Sequence, residues 1–250
     1  MARKHRISYP GMYHIINRGV GKRNVFLAPE DYDTFLAILE EILQKFNITL
    51  HSYCLMTNHY HLLLETYEEN LSEAIKYLNG NYAIYFNKKY KRPGHLWQGR
   101  FLSYYLYDDV HFWIVSKYIE RNPIKAHMVR DIGEYNYQSF FQWKEKGKSV
   151  KLLKNTMIFD MTFEEYEAYI STEMPQNVLD QVYRSPKIIT RNGETKVLTK
   201  RLETFFEKDR DIHRNENMQK AYDYGYSKTE IANFIGLSSK SVAKVLSSAT

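Results

Sequence analysis

A chain of 250 residues is long enough for one large domain or a medium one with a small companion, and its 44% hydrophobic and 26% charged content is that of a globular protein. No uncharged apolar run approaches the roughly eighteen residues of a membrane span, no apolar signal core follows the basic start Arg3-Lys4-His5-Arg6, and a lone Cys54 excludes an internal disulfide or a multi-cysteine zinc module. These features predict a cytoplasmic protein without a membrane partner, and a net charge of +6 with a pI near 9.1 favours a polyanionic one.

Met12 to Arg18 reads as a first strand, ending in the loop Gly19-Val20-Gly21. Up to Asn24 the chain carries Arg3, Lys4, Arg6, Arg18, Lys22 and Arg23 and no acidic residue, a first basic cluster. Pro29-Glu30-Asp31 opens a helix, because acidic side chains suit the positive end of its dipole, and helical spacing of Phe35, Leu39, Ile42 and Phe46 extends it over about 29–46. Ile48 to Met56 is a second strand, in which Cys54 reads as a buried, inert thiol. The tight connection Thr57-Asn58 leads into a third, His59-Tyr60-His61-Leu62-Leu63-Leu64, antiparallel to the second. Strand alternation puts both imidazoles on one face and Tyr60 on the other.

Leu71, Ile75, Leu78, Tyr82 and Phe86 mark a helix over roughly 70–89. A second basic stretch, Lys88-Lys89-Tyr90-Lys91-Arg92, then precedes Pro93-Gly94-His95-Leu96-Trp97-Gln98-Gly99-Arg100. Cations interleaved with flat rings are what single-stranded nucleic acid requires, for phosphates and unstacked bases. Gln98 to Tyr107 reads as a further strand, and Asp108-Asp109 caps a helix over about 109–121 that ends before Pro123, since the residue before proline avoids helical geometry. This order is a split βαβ pattern, an α+β fold whose antiparallel sheet is covered by helices on one face.

Residues 1–148 form this domain, and 149–208, charged and irregular, read as a connecting region of unknown shape. Residues 209–250 end in a helix-turn-helix pattern, with Ser227 and Glu230 as a capping box, a turn at Gly236-Leu237-Ser238, and Lys240 and Lys244 facing outward from the last helix toward duplex DNA.

Two neutral imidazoles, His59 and His61, can chelate a divalent ion. Asn122 stands one helical turn from Tyr118 and can add an amide oxygen. So weakly charged a set leaves phosphate oxygens to complete the coordination, which suits Mg²⁺ or Mn²⁺. Tyr118 is then the candidate nucleophile, and a phosphotyrosine keeps the energy of the phosphodiester, so cleavage can be reversed by a strand hydroxyl.

Residues 12–140 resemble the REP-associated tyrosine transposases, relatives of the insertion-sequence transposases in the HUH endonuclease superfamily. Four ordered stretches carry the resemblance: Tyr13 to Gly19, Leu55 to Leu63, Gly94 to Phe101 and Tyr118 to Ala126. It implies a ferredoxin-like fold and metal-dependent nicking of single-stranded DNA at hairpin or inverted-repeat elements. His59, His61 and Asn122 fall on the family's metal ligands and Tyr118 on its nucleophile; Thr57 stands where the family commonly has proline. The expected activity is a site-specific single-strand endonuclease and strand-transferase acting through a 5′-phosphotyrosine. Arg18, Lys88, Lys89, Arg92 and Arg100 are candidate phosphate contacts and Trp97 a candidate base stacker. The alternative is a non-catalytic DNA-binding regulator that reads DNA with the helix-turn-helix and keeps the HUH fold as scaffold.

Overall fold

A computed structural model describes residues 9–191, 194–198, 200–206 and 213–247. The chain divides into two compact units, residues 1–185 and 186–250.

In the first unit, β1 (Gly11–Arg18), α1 (Pro29–Lys45), β2 (Ile48–Met56), β3 (His59–Thr66), α2 (Leu71–Lys89), β4 (Leu102–Tyr105) and α3 (Asp109–Lys125) follow in order. The four strands form one antiparallel sheet in the order β2-β3-β1-β4. Ile16 of β1 stands opposite His61 of β3, and Met56 of β2 opposite His59.

Alternation sorts the side chains onto two faces. Tyr13, Ile15, Tyr53, Leu55, Tyr60, Leu62 and Leu64 pack on one face against Phe35, Leu39 and Ile42 of α1 and Leu78, Tyr82 and Phe86 of α2. Each such fully buried side chain contributes about 1.5–3 kcal/mol by leaving water. The two helices are also joined at their ends, where Lys89 Nζ reaches Asp31 Oδ1 at 2.8 Å.

The expectation of helices on one face holds for α1 and α2, whereas α3 lies on the other. Cys54, Met56 and Leu63 meet Phe112, Val115 and Ile119 there, joined by Phe140 and Trp143 of α4 (Ser139–Lys146) and Tyr166 and Ile170 of α5 (Phe163–Ser171). Both faces of the central strands are buried, so both need cover. Asp108 caps α3 by accepting the His111 N–H at 2.7 Å. Contrary to the expected stop near residue 121, α3 runs through Pro123 to Lys125, and Ala126 N–H donates to Asn122 O at 2.9 Å. Strand β4 is shorter than expected, since residues 98–100 form bends.

Both sheet edges are occupied. On β2, Leu55 N–H donates to Tyr137 O and Tyr53 N–H to Ser139 Oγ, each at 2.9 Å; on β4, Tyr105 N–H donates to Ser185 Oγ at 2.9 Å. The expected boundaries at 148 and 208 fall inside the two units. Residues 149–185 pack into the first, with Leu153 and Ile158 buried in its cores and α6 (Gln176–Leu179) near its end.

In the second unit, β5 (Lys187–Arg191) and β6 (Glu194–Leu198) form an antiparallel pair. The turn residues Asn192 and Gly193 lie outside the described residues. Helices α7 (Arg214–Tyr224), α8 (Lys228–Ile235) and α9 (Ser239–Ser247) bury Met218, Ala221, Ile231, Ala232, Val242 and Leu246 together. The Ser227–Glu230 capping box opens α8, and Gly236, left-handed at φ 73°, ends it.

Candidate active site

His59 and His61 project from β3 onto the face covered by α3, with ring centres 5.0 Å apart, while Tyr60 points the other way and donates its hydroxyl to Asn79 Oδ1 at 2.9 Å. Tyr118, on α3, sets its ring edge-on to His61 with centres 5.7 Å apart. One turn on, Asn122 Nδ2 donates to the Tyr118 carbonyl at 2.8 Å, which leaves its Oδ1 for another partner. These four side chains, with Arg18 and Arg100, line one cleft of about 550 Å³.

The donor set fits a divalent ion. His59 Nδ1 lies 2.5 Å from Asn58 Oδ1, an acceptor, so that nitrogen carries the hydrogen and Nε2 keeps its lone pair. His61 Nδ1 lies 2.9 Å from Nε2 of a third histidine, His14 of β1, so His61 also has Nε2 to offer. Burial pushes His59 down to about 4, helped by the Arg18 charge, and holds His61 well below its ordinary value, helped by His14 and His59. Burial likewise takes His14 to about 3, opposed by the Val182 carbonyl. All three are neutral at pH 7, as ligation requires. Among the described residues no three His, Cys, Asp or Glu side chains group as a metal cage, so an ion here would rest on two imidazoles and an amide.

Tyr118 is 6% exposed, and burial raises its phenol above the ordinary value, opposed by a hydrogen bond between its hydroxyl and that of Tyr183. The Lys125 ammonium stands 5.4 Å from its ring centre. Helix α3 is braced from beneath by Glu120, which is fully buried. Its carboxylate accepts from Ser52 Oγ at 2.9 Å, from Phe140 N–H at 3.2 Å and from Ser139 Oγ.

The other sequence candidates are dispersed. Arg18 Nε donates to Gln98 Oε1 at 2.9 Å at the cleft's rim. Lys89 is engaged by Asp31, and Lys88 is exposed at the end of α2. Trp97 leans on the α2 face of the core, donating Nε1 to Asn79 O at 2.9 Å and meeting Tyr60 edge-on, an arrangement that uses its ring for packing. Arg92 lines a separate cleft of about 660 Å³ with Lys22, Arg23 and Lys91 beside Phe86 and Tyr90, so the two basic stretches of the sequence converge there. Arg3, Lys4 and Arg6 lie outside the described residues. Lys240 and Lys244 are exposed on α9 of the second unit.

Sequence reasoning missed His14, Asn58, Lys125 and Tyr183. His14 left a signal, a polar residue between the buried Tyr13 and Ile15 of one strand; Tyr183, far along the chain, left none.

The family model described as "Transposase IS200 like" matches residues 8–122, a span that holds both histidines, Tyr118 and Asn122. No curated protein matches the chain. Among solved structures, the chain is similar in fold to a REP-associated tyrosine transposase bound to a REP hairpin, at 15% identity over 59% of this chain and 87% of that one, with a TM-score of 0.51. A candidate transposase from Deinococcus radiodurans R1 is similar at 22% identity over 48% of this chain and 97% of that one, with a TM-score of 0.35. No helix among the described residues is long and apolar enough to cross a membrane. Residues 8–122, just under half of the chain, are thus similar to the IS200-like transposases.

Proposed function

We propose that the chain is a metal-dependent single-strand DNA endonuclease and strand-transferase acting near hairpin repeats, with Tyr118 as nucleophile. One observation carries this reading: Tyr118, Asn122 and the paired imidazoles of His59 and His61 line one cleft, with Tyr118 against His61. In the reaction the Tyr118 Oη–P bond forms and the P–O3′ bond breaks. The phenol loses its proton to solvent, the departing 3′ oxygen gains one, and the DNA stays attached through a 5′-phosphotyrosine. Attack by a 3′ hydroxyl reverses the step and joins strands. Mg²⁺ or Mn²⁺ held by His59, His61 and Asn122 would stabilise negative charge on the scissile phosphate. Arg18 and Arg100 at the rim, with Lys125 beside Tyr118, neutralise the backbone, and the Lys22, Arg23, Lys91 and Arg92 cleft accepts flanking strand. In the second unit, α8, the turn and α9 offer Lys240 and Lys244 to duplex DNA.

The test is incubation with labelled, hairpin-bearing single-stranded DNA and Mn²⁺. The expected result is a protein–DNA adduct that survives denaturation and disappears in Tyr118→Phe while DNA binding persists. A wild-type protein that binds this DNA and forms no adduct would instead be a non-catalytic regulator.

A further inference from the structure

Tyr183 belongs to none of the residues matched by the family model, yet its side chain enters the cleft. Its hydroxyl is hydrogen-bonded to that of Tyr118, its ring stacks on His14 with centres 6.0 Å apart, and it meets Tyr104 and Tyr118 edge-on at 5.3 and 5.6 Å. We propose that Tyr183 is a positioning residue for the nucleophile, its hydroxyl fixing the Tyr118 oxygen in the direction from which it attacks phosphorus and to which it returns when strands are rejoined.

Two features favour a fixed support over a movable cover. The segment is anchored on both sides of Tyr183: Val182 is fully buried in the α3-face core, and Ser185 Oγ holds the Tyr105 amide of β4 at 2.9 Å. The ring also lies over His14, whose Nε2 meets His61 Nδ1, so it flanks the cleft from the side of His61 that is already engaged. Among the described residues, the buried Tyr118 hydroxyl, free to turn about its C–O bond, has Tyr183 as its side-chain partner. One hydrogen bond therefore decides where that oxygen's lone pairs face. Misdirection of a reacting atom by an ångström costs up to about a hundredfold in rate.

The inference rests on the endonuclease reading, and one experiment separates the two. The full chain, wild type and Tyr183→Phe, is given hairpin-bearing single-stranded DNA and Mn²⁺. Its affinity for that DNA is measured, and adduct formation is followed in single turnover at saturating DNA. Phenylalanine keeps the ring contacts and removes only the hydroxyl. The expected result is a rate about ten- to a hundredfold lower with unchanged affinity, and a slower rejoining step when a 3′-hydroxyl strand is supplied to preformed adduct. An unchanged rate overturns the proposal. A faster rate overturns it by identifying a cover, and affinity falling in step with rate overturns it by identifying a DNA contact. If the wild type forms no adduct, the endonuclease reading fails and the positioning role fails with it.

Discussion

The two faces of the sheet are built from the same strands but to different rules. Facing α1 and α2, the core is aliphatic and aromatic, and polar atoms sit mainly at the tips of tyrosines, as in Tyr82 Oη to Val25 O at 2.5 Å and Tyr60 Oη to Asn79, with Tyr53 Oη left without a partner among the described residues. Facing α3, titratable and amide groups sit deep within the structure: His14 at 0%, His61 at 3%, Glu120 at 1% and Asn122 at 7% exposure. A buried polar group lowers stability unless it is fully partnered. The first face thus favours stability, and the second holds, at a cost in stability, the groups on which the proposed reaction rests.

The largest expected effect tests the first half of that contrast. Phe35→Ala, which empties a site between Phe26, Tyr60 and Tyr82, should lower stability by roughly 3–5 kcal/mol in urea unfolding while the adduct-forming rate per folded molecule stays constant. A rate that fell with stability would join the two faces functionally.

Next comes Glu120. Burial lifts its carboxyl from 4.5 to about 7, against the pull of Ser139, Ser52 and the Phe140 amide. The folded state therefore keeps this proton longer than the unfolded chain, so stability is highest below about 4.5 and is lost as pH rises through 7. Relative to Glu120→Gln, the wild type should lose of order 3 kcal/mol between pH 4.5 and 8. Parallel stability profiles for the two proteins would remove Glu120 from the account.

A smaller change is expected from His14→Phe, which fills the same space but leaves the His61 Nδ1 hydrogen without its acceptor. Affinity for Mn²⁺, measured by calorimetry, should fall about 10- to 100-fold with little change in DNA binding. Equal Mn²⁺ affinity would make His14 a packing residue. The smallest effect belongs to Trp97→Phe, which gives up one hydrogen bond to Asn79 O and costs about 1 kcal/mol. A marked loss of DNA affinity there would restore Trp97 as a base stacker.

The legible parts of the molecule were those governed by local pattern. Both bounds of β2, the start of β3 and the cap at Asp108 follow from alternation, a two-residue turn and an acidic N-cap. The placement of α3 on the second face did not, because apolar residues on both sides of β3 are compatible with either side. Pro123 misled because a proline within a helix is tolerated once tertiary packing fixes the turns around it. Of the site, the two histidines and the Tyr118–Asn122 spacing could be read directly. The contacts of His14 and Tyr183 depend on pairing across 47 and 65 residues of sequence, which no local signal encodes.

The covered borders of the sheet bear on self-association. Exposed strand borders template the addition of further strands, from a second copy or an aggregate. Here residues 137–139 take amides along β2, while β4 is only four residues long and yields its Tyr105 amide to Ser185. With those amides engaged, each border offers fewer free donors for backbone ladders between copies.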